Sequence, residues 1–340
     1  MLKIDMFNHF FPRSYFDRFI NVPGAKDMGK RMLHIPSIVD LDLRFRIMDE
    51  YSEYQQVLSL PMPPVESLAT PDKSPELARN ANDGLAELVQ KYPQRFPGFI
   101  ASLPLNNLEA SLQEIERAIS QLGAVGIQLF SNIQGKALDA PEFLPLFEEA
   151  ARRDVPVWLH PARGTNFTDY LSEKKSKYEI WWTFGWPYET SVAMSRLVFS
   201  GIFDRLPDLK IITHHLGGMI PYFEGRVGLG WDQLGTRTSD EDYGALLRSM
   251  KARPVDYFHK FYGDTALSGA LPASRCGIEF FGADHVVFAT DVPFDPKPGL
   301  FIQETIRVLD SLGLDPADKE KIYYGNALRL MKRAPRKANA

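Results

Sequence analysis

The feature that most constrains this chain is an alternation repeated along its length. Short apolar runs of strand length alternate with longer segments that carry apolar residues at helical spacing. Such runs lie at Leu2 to Met6, Gln55 to Leu60, Gly98 to Ser102, Ala124 to Phe130, Val155 to Leu159, Leu209 to Thr213, Tyr257 to Tyr262 and His285 to Ala289. Between them, Arg13 to Ile20, Asp40 to Tyr51, Leu77 to Val89, Leu108 to Leu122, Glu142 to Arg153 and Thr190 to Phe203 read as helices, and Pro141 opens one of them. Strands that alternate with helices build a parallel sheet covered by those helices. Eight such units in 340 residues, with no composition break and no internal repeat, predict an α/β fold: one closed (β/α)8 TIM barrel, a single domain over residues 1–340.

In such a barrel the functional residues sit at the carboxyl ends of the strands, where exposed loops are carried by rigid elements. Four of these ends run from an apolar stretch into a metal-competent side chain: Ile4 to His9, Val155 to His160, Leu209 to His214 and His215, and Val286 to Asp291. They are ends one, five, six and eight. Ends eight and one are neighbours across the closure and five and six are adjacent, so all four share one rim. Adjacent residues of an extended strand point to opposite sides, so only one of His214 and His215 is expected to face the mouth. Gly217 and Gly218 follow directly, and His215 is chosen. His34, His259 and His285 read as surface or structural histidines.

Composition then removes whole classes of function. A single cysteine, Cys276, excludes an intrachain disulfide and any multi-cysteine zinc site, so a metal has to rest on histidines and carboxylates and the expected compartment is the reducing cytoplasm. The net charge of -4, with 39 lysines and arginines spread along the chain, gives no basic field for nucleic acid. The basic tail Lys332 to Lys337 reads as a solvated terminus. No run approaches the roughly 18 apolar residues of a membrane span.

Around the expected mouth, Tyr178, Trp181, Trp182 and Trp186 lie in a long loop, where planar walls suit an aromatic or unsaturated ring; the plainer alternative is core filler. Arg163 and Arg226 are carboxylate clamps by the geometry of the guanidinium fork, or else surface ion pairs. Asp264, on the loop after the seventh strand, and Glu189, near the aromatic loop, are placed to orient ligands through hydrogen bonds.

The segments Trp186 to Thr190, Gly201 to Lys210, His215 to Gly218, Pro221 to Phe223, Gly225-Arg226, Asp264, Thr290 to Phe294 and Gly325 to Arg329, in that order, resemble the amidohydrolase superfamily. The resemblance is to its amidohydrolase 2 branch, which contains aminocarboxymuconate semialdehyde and resorcylate decarboxylases. It covers nearly the whole chain. It implies that His9, His160 and Asp291 bind one divalent metal ion, zinc or manganese, that His215 is the catalytic histidine, with Asp291 the other group able to deliver a proton, and that Phe294 joins Arg163, Trp182, Trp186 and Arg226 at the substrate. In that pattern the first strand supplies a histidine or glutamate two residues before its histidine, and here Phe7 stands at that place. A phenyl ring cannot coordinate, so a three-ligand set remains, with lower affinity than four ligands give.

The leading expectation is therefore non-oxidative decarboxylation of an aromatic or ring-cleavage carboxylic acid, with no organic cofactor and with the chain in a homodimer or higher homo-oligomer. Hydrolysis or hydration of a lactone, amide or ring-cleavage product by a metal-activated water is the second reading, since one fold runs both chemistries. A third treats Phe7 as the mark of a decayed site that only binds an acid.

Overall fold

Eight parallel strands form one sheet whose neighbours follow chain order: β1 (Lys3–His9), β2 (Tyr54–Ser59), β3 (Gly98–Ala101), β4 (Gly126–Phe130), β5 (Val157–His160), β6 (Ile211–Thr213), β7 (Tyr262–Asp264) and β8 (Val286–Val287). Backbone hydrogen bonds close the ring between its first and last members: Met6 N–H to Phe288 O at 2.8 Å, Asp291 N–H to Phe7 O at 3.1 Å and His9 N–H to Val292 O at 2.8 Å. These coordinates are a computed structural model that describes residues 1–22 and 30–333. Residues 23–29, and the basic tail beyond Arg333, lie outside the described residues.

The strands are buried on both faces, as parallel strands covered by crossover helices must be. Two apolar clusters follow from that. One fills the space between the strands and the outer helices; the other, with Ile4, Met6, Phe7, Val57, Ile100, Trp158, Ile212 and Val287, fills the barrel itself. Trp158 is the largest fully buried side chain, and its indole N–H donates to Met6 O at 2.8 Å. A Cβ on Gly126 would stand 2.4 Å from that indole and 2.3 Å from Pro156 O, so glycine is what lets β4 pass the ring. Ala327, Leu330 and Met331 of the helix Asn326–Met331 join the inner cluster beside Val125 and so close the barrel end opposite the histidines.

Several boundaries differ from those expected. β1 continues to His9, which places that histidine on the strand and not on the loop after it. The expected seventh strand, Tyr257 to Tyr262, is displaced: Tyr257 and Phe258 end a helix, Pro254–Phe258, and the strand begins at Tyr262. Pro254 in the first turn and the Asp256 carboxylate accepting the Arg253 N–H at 3.2 Å are helix-start signals that outweigh the aromatic content of the segment. The displacement puts Asp264 on the end of β7. The helix expected over Thr190 to Phe203 starts earlier, at Gly185, and stops at Phe199, where Gly201 with φ 73° turns the chain. Among the described residues, no helix is long and apolar enough to cross a membrane.

Candidate active site

The carboxyl ends of β1, β5, β6 and β8 bring His9, His160, His214, His215 and Asp291 into one buried cluster. His9 is anchored through its backbone as well as its ring. The fully buried Arg44 donates to His9 O at 3.0 Å, to Asn8 Oδ1 at 2.8 Å and to Gln56 Oε1 at 2.7 Å, tying β1 to β2. On the ring, Nδ1 lies 3.3 Å from Leu60 O, and in His160 Nδ1 lies 2.7 Å from Pro161 O. A carbonyl oxygen can only accept, so in both rings Nδ1 carries the proton and Nε2 presents a lone pair. His9 Nε2 is 3.2 Å from Asp291 Oδ1 but makes no hydrogen bond. Burial lowers the affinity of both imidazoles for a second proton, and in His160 the neighbouring His214 and His9 lower it further.

The expectation that only one of His214 and His215 faces the mouth fails, for a backbone reason. Side-chain alternation holds while the chain is extended, and β6 ends at Thr213. His215, Leu216, Gly217 and Gly218 have φ values of 55°, 51°, 77° and 63°, a run in the left-handed region that turns His215 back toward the same centre as His214. The rings of His214 and His215 lie 3.7 Å apart. Gly218 is required where it is: a Cβ there would meet Pro187 O at 2.5 Å. His214 is fully buried, with Nδ1 2.6 Å from Asp264 Oδ2 and Nε2 3.5 Å from Asp291 Oδ1. His215 is partly open, with Nε2 3.7 Å from Asp291 Oδ2.

Asp291 and Asp264 set the electrostatics. Burial alone would raise the pKa of Asp291, but the adjoining imidazoles of His214, His215 and His9 hold it well below the usual carboxylate range. Burial works against the charged form of His214, yet Asp264 and Asp291 outweigh it and push that imidazole up to about 9. Burial and the neighbouring His214 lower His215. The fully buried Asp264 and the largely buried Asp291 therefore call for positive charge at this point, which either a proton on His214 or a divalent cation supplies. The donors fit a cation. One ligand atom from each of His9, His160 and His214, or of His214, His215 and Asp291, lies within 4.8 Å of the others. The 3.2 and 3.5 Å separations from Asp291 Oδ1 are close to the roughly 3.0–3.4 Å that adjacent donors take around one ion at bond lengths of about 2.1 Å.

Above the donors opens a cavity of about 250 Å³, sized for one small ring and not for a peptide. His160, His215 and Asp291 form its floor, and Trp182, Trp186 and Phe294 its walls. Trp186 is set by its indole N–H, which donates to Arg163 O at 3.2 Å, and its ring stacks toward His215 with centroids 6.4 Å apart. Arg31 lines the rim; its guanidinium sits 4.8 Å over the Phe294 ring and donates to Phe294 O at 3.3 Å.

A family model described as Amidohydrolase matches residues 4–333. The chain belongs to the amidohydrolase family. Among its relatives, a gamma-resorcylate decarboxylase of Polaromonas sp. is 35% identical over 298 residues, 86% of this chain and 87% of that protein. A 2-amino-3-carboxymuconate-6-semialdehyde decarboxylase of Dictyostelium discoideum is 31% identical over 99% of this chain and 93% of its own length. A solved dihydroxybenzoic acid decarboxylase of Polaromonas sp., holding manganese and the inhibitor 2-nitroresorcinol, superposes with a TM-score of 0.77 at 30% identity, covering 97% of each chain.

Within this amidohydrolase the remaining expected residues divide. Trp182, Trp186 and Phe294 line the cavity, and Asp264 bonds His214. Arg163 does not line the cavity; it pairs with Glu189 at 2.7 Å and packs over Phe167, and Gly185 leaves room for its side chain. The pair uses up the charge of both, so Glu189 braces the aromatic segment and does not orient a ligand of the cluster. Arg226 is exposed on the turn Arg226–Gly230, over Phe223, and does not line the cavity of its own barrel. Trp181 lines the neighbouring depression with Arg163 and Phe167. Sequence reasoning missed Arg31 and Arg44, and it set His214 aside in favour of His215. Arg44 was open to detection, since it lies three residues after Leu41 and three before Ile47 on the apolar stripe of its helix. Arg31 carries no comparable local signal.

Proposed function

We propose that this amidohydrolase removes carbon dioxide, without oxidation, from a hydroxylated aromatic or a ring-cleavage carboxylic acid. One divalent ion, zinc or manganese, would be held by His9, His160 and Asp291. The observation that carries the reading is the imidazole of His215, on the floor of an aromatic-walled cavity and beside a set of donors that fits a cation. Decarboxylases among the relatives, and the manganese in a solved one, support it.

The planar walls of Trp182, Trp186 and Phe294 orient a flat ring over the donors and exclude water from its faces. At the rim the Arg31 fork matches a substrate carboxylate or ring hydroxyl. An ion held there would supply positive charge that favours an anionic substrate oxygen. His215 holds the reacting proton at Nε2, turned toward Asp291 Oδ2. Burial and the adjacent His214 make that proton easily given. It goes to the ring carbon that bears the carboxylate; the carbon–carbon bond then breaks, carbon dioxide leaves, and the electron pair of that bond restores the ring. Exposed aromatic residues such as Tyr178, Phe184, Tyr188 and Tyr222 support assembly into a homo-oligomer, and the single cysteine supports a cytoplasmic location.

The test is a screen of hydroxybenzoates, dihydroxybenzoates and carboxymuconate-type acids for released carbon dioxide, before and after chelation. Release from at least one acid that stops on chelation and returns with zinc or manganese is the expected result. Cleavage of an ester, lactone or amide, with no acid losing carbon dioxide, would replace the decarboxylase reading by hydrolysis.

A further inference from the structure

One nitrogen in the cluster, His214 Nε2, has no place in the three-ligand arrangement just described. His214 Nε2 is fully buried, has no hydrogen-bond partner and is aimed, like the equally unpartnered His9 Nε2, at the same oxygen, Asp291 Oδ1, from 3.5 and 3.2 Å. A buried polar nitrogen left unmade costs about 1–3 kcal/mol, and two that converge on one carboxylate oxygen mark a common acceptor for their lone pairs. The opposite nitrogen of each ring is committed: His9 Nδ1 to Leu60 O and His214 Nδ1 to Asp264 Oδ2. Asp264 is fixed in turn, accepting the Ala266 N–H at 3.1 Å. A carboxylate behind the distal nitrogen is how proteins orient a metal-binding imidazole and raise its donor strength.

The apolar side of the cluster points the same way. Phe7 projects from β1 into the space between the histidines, with its ring centroid 4.3 Å from that of His214, 5.4 Å from His9 and 5.8 Å from His160. It offers no lone pair, so any donor in that quarter has to come from β6. We infer that His214 is a fourth protein ligand, binding the divalent ion through Nε2 together with His9, His160 and Asp291, with Asp264 as its positioning residue and Phe7 as the apolar wall it replaces. The inference rests on the metal-dependent reading above but not on the reaction catalysed. It gives the two histidines of the turn separate tasks: His214 holds the ion, and His215, left out of the ligand set, holds the reacting proton.

The full chain loaded with zinc is the material for the test, and X-ray absorption at the zinc edge counts imidazoles directly. The wild type should show three imidazoles and His214→Ala two, with zinc affinity lowered by more than about 100-fold, the upper end of what loss of a mere supporting partner costs. Asp264→Asn should lower affinity by about 10- to 100-fold and keep three imidazoles. Because position 7 faces the same space, Phe7→His added to His214→Ala should restore the third imidazole and most of the affinity. Circular dichroism of each metal-free protein checks the fold, and the imidazole count in the wild type depends on no variant. Two imidazoles in the wild type, no zinc bound by it, or His214→Ala binding zinc within about threefold of wild type would each overturn the assignment. Three imidazoles in a protein that releases no carbon dioxide from any acid would uphold it and sink the decarboxylase reading instead.

Discussion

Glu66 tests how burial without pairing sets proton affinity in this barrel. It lies in the short helix Val65–Leu68 beyond β2, it is 2% exposed, and neither carboxyl oxygen has a hydrogen-bond partner. The helix cannot swing it out to water cheaply, because the Glu66 carbonyl accepts from Gln134 at 2.8 Å and from Asn106 at 3.3 Å. Burial pushes the carboxyl up to about 8 from an ordinary 4.5. Since the folded value is the higher one, this stability is fully present below about 4.5 and is lost as pH rises through about 8. At about 1.4 kcal/mol per pH unit the gap amounts to about 5 kcal/mol. Glu66→Gln keeps the shape and cannot titrate, so it tracks the protonated wild type. Guanidinium unfolding of both proteins between about pH 5 and 9 should show the variant gaining on the wild type by up to about 1.4 kcal/mol per pH unit, then levelling above about pH 8. A difference that stays within about 1 kcal/mol over that range would mean the carboxyl keeps its ordinary affinity, and the burial argument would fail.

His215→Asn should leave metal content and circular dichroism unchanged while turnover falls by about 100- to 10,000-fold, the contribution of a general acid; near-normal turnover would remove His215 from the chemistry. Asp291→Ala should lose metal and turnover together, and a variant that keeps its full metal equivalent would show the carboxylate is not a ligand. Arg31→Ala should raise KM for an acid substrate by about 10- to 100-fold, as expected for one charge-assisted hydrogen bond, with a smaller effect on kcat; an unchanged KM would place the carboxylate elsewhere. Gly277→Ala puts a Cβ 2.1 Å from Leu216 Cδ2, so it should shift the turn that carries His215, lowering kcat more than metal affinity and stability by about 1–3 kcal/mol; wild-type kcat would show the turn is not locked by that contact.

What the sequence disclosed and what it hid separate along physical lines. β-branched and apolar runs bounded by glycine and proline marked seven strands closely, because parallel strands buried on both faces have to be apolar throughout. The seventh slipped because Tyr257, Phe258 and Phe261 suit a strand or a buried helix equally, and only the register with β6 and β8 selects Tyr262–Asp264. Strand ends pointed to His9, His160, His214, His215 and Asp291 because the barrel itself forces such ends together. The rule that neighbours alternate then misdirected the choice between His214 and His215, since it assumes an extended backbone where four successive residues are left-handed. Charged side chains were read least well. Arg163 and Glu189 are 26 residues apart and form a bridge that no local pattern announces, and Arg31 reaches the rim only because it packs on Phe294 from the far end of the chain.

The left-handed turn explains why both histidines face the same centre. His215 and Leu216, and Asp291 across from them with φ 62°, take a backbone region that costs an ordinary residue about 1 kcal/mol or more, so something has to hold them there. For the turn the hold is Leu216, buried to 2% in a slot cut by two glycines: a Cβ on Gly277 or on Gly263 would stand 2.1 or 2.8 Å from its side chain. On the other side Ser191 donates to Pro187 O and accepts the Met219 N–H at 2.8 Å, fastening the end of the turn to the helix Gly185–Phe199. That helix also carries Trp186, the cavity wall that stacks toward His215. Trp186 and the His215 imidazole are thus positioned by one rigid connection, while His214 is positioned by β7 through Asp264. Apolar packing fixes His215, and a buried carboxylate fixes His214.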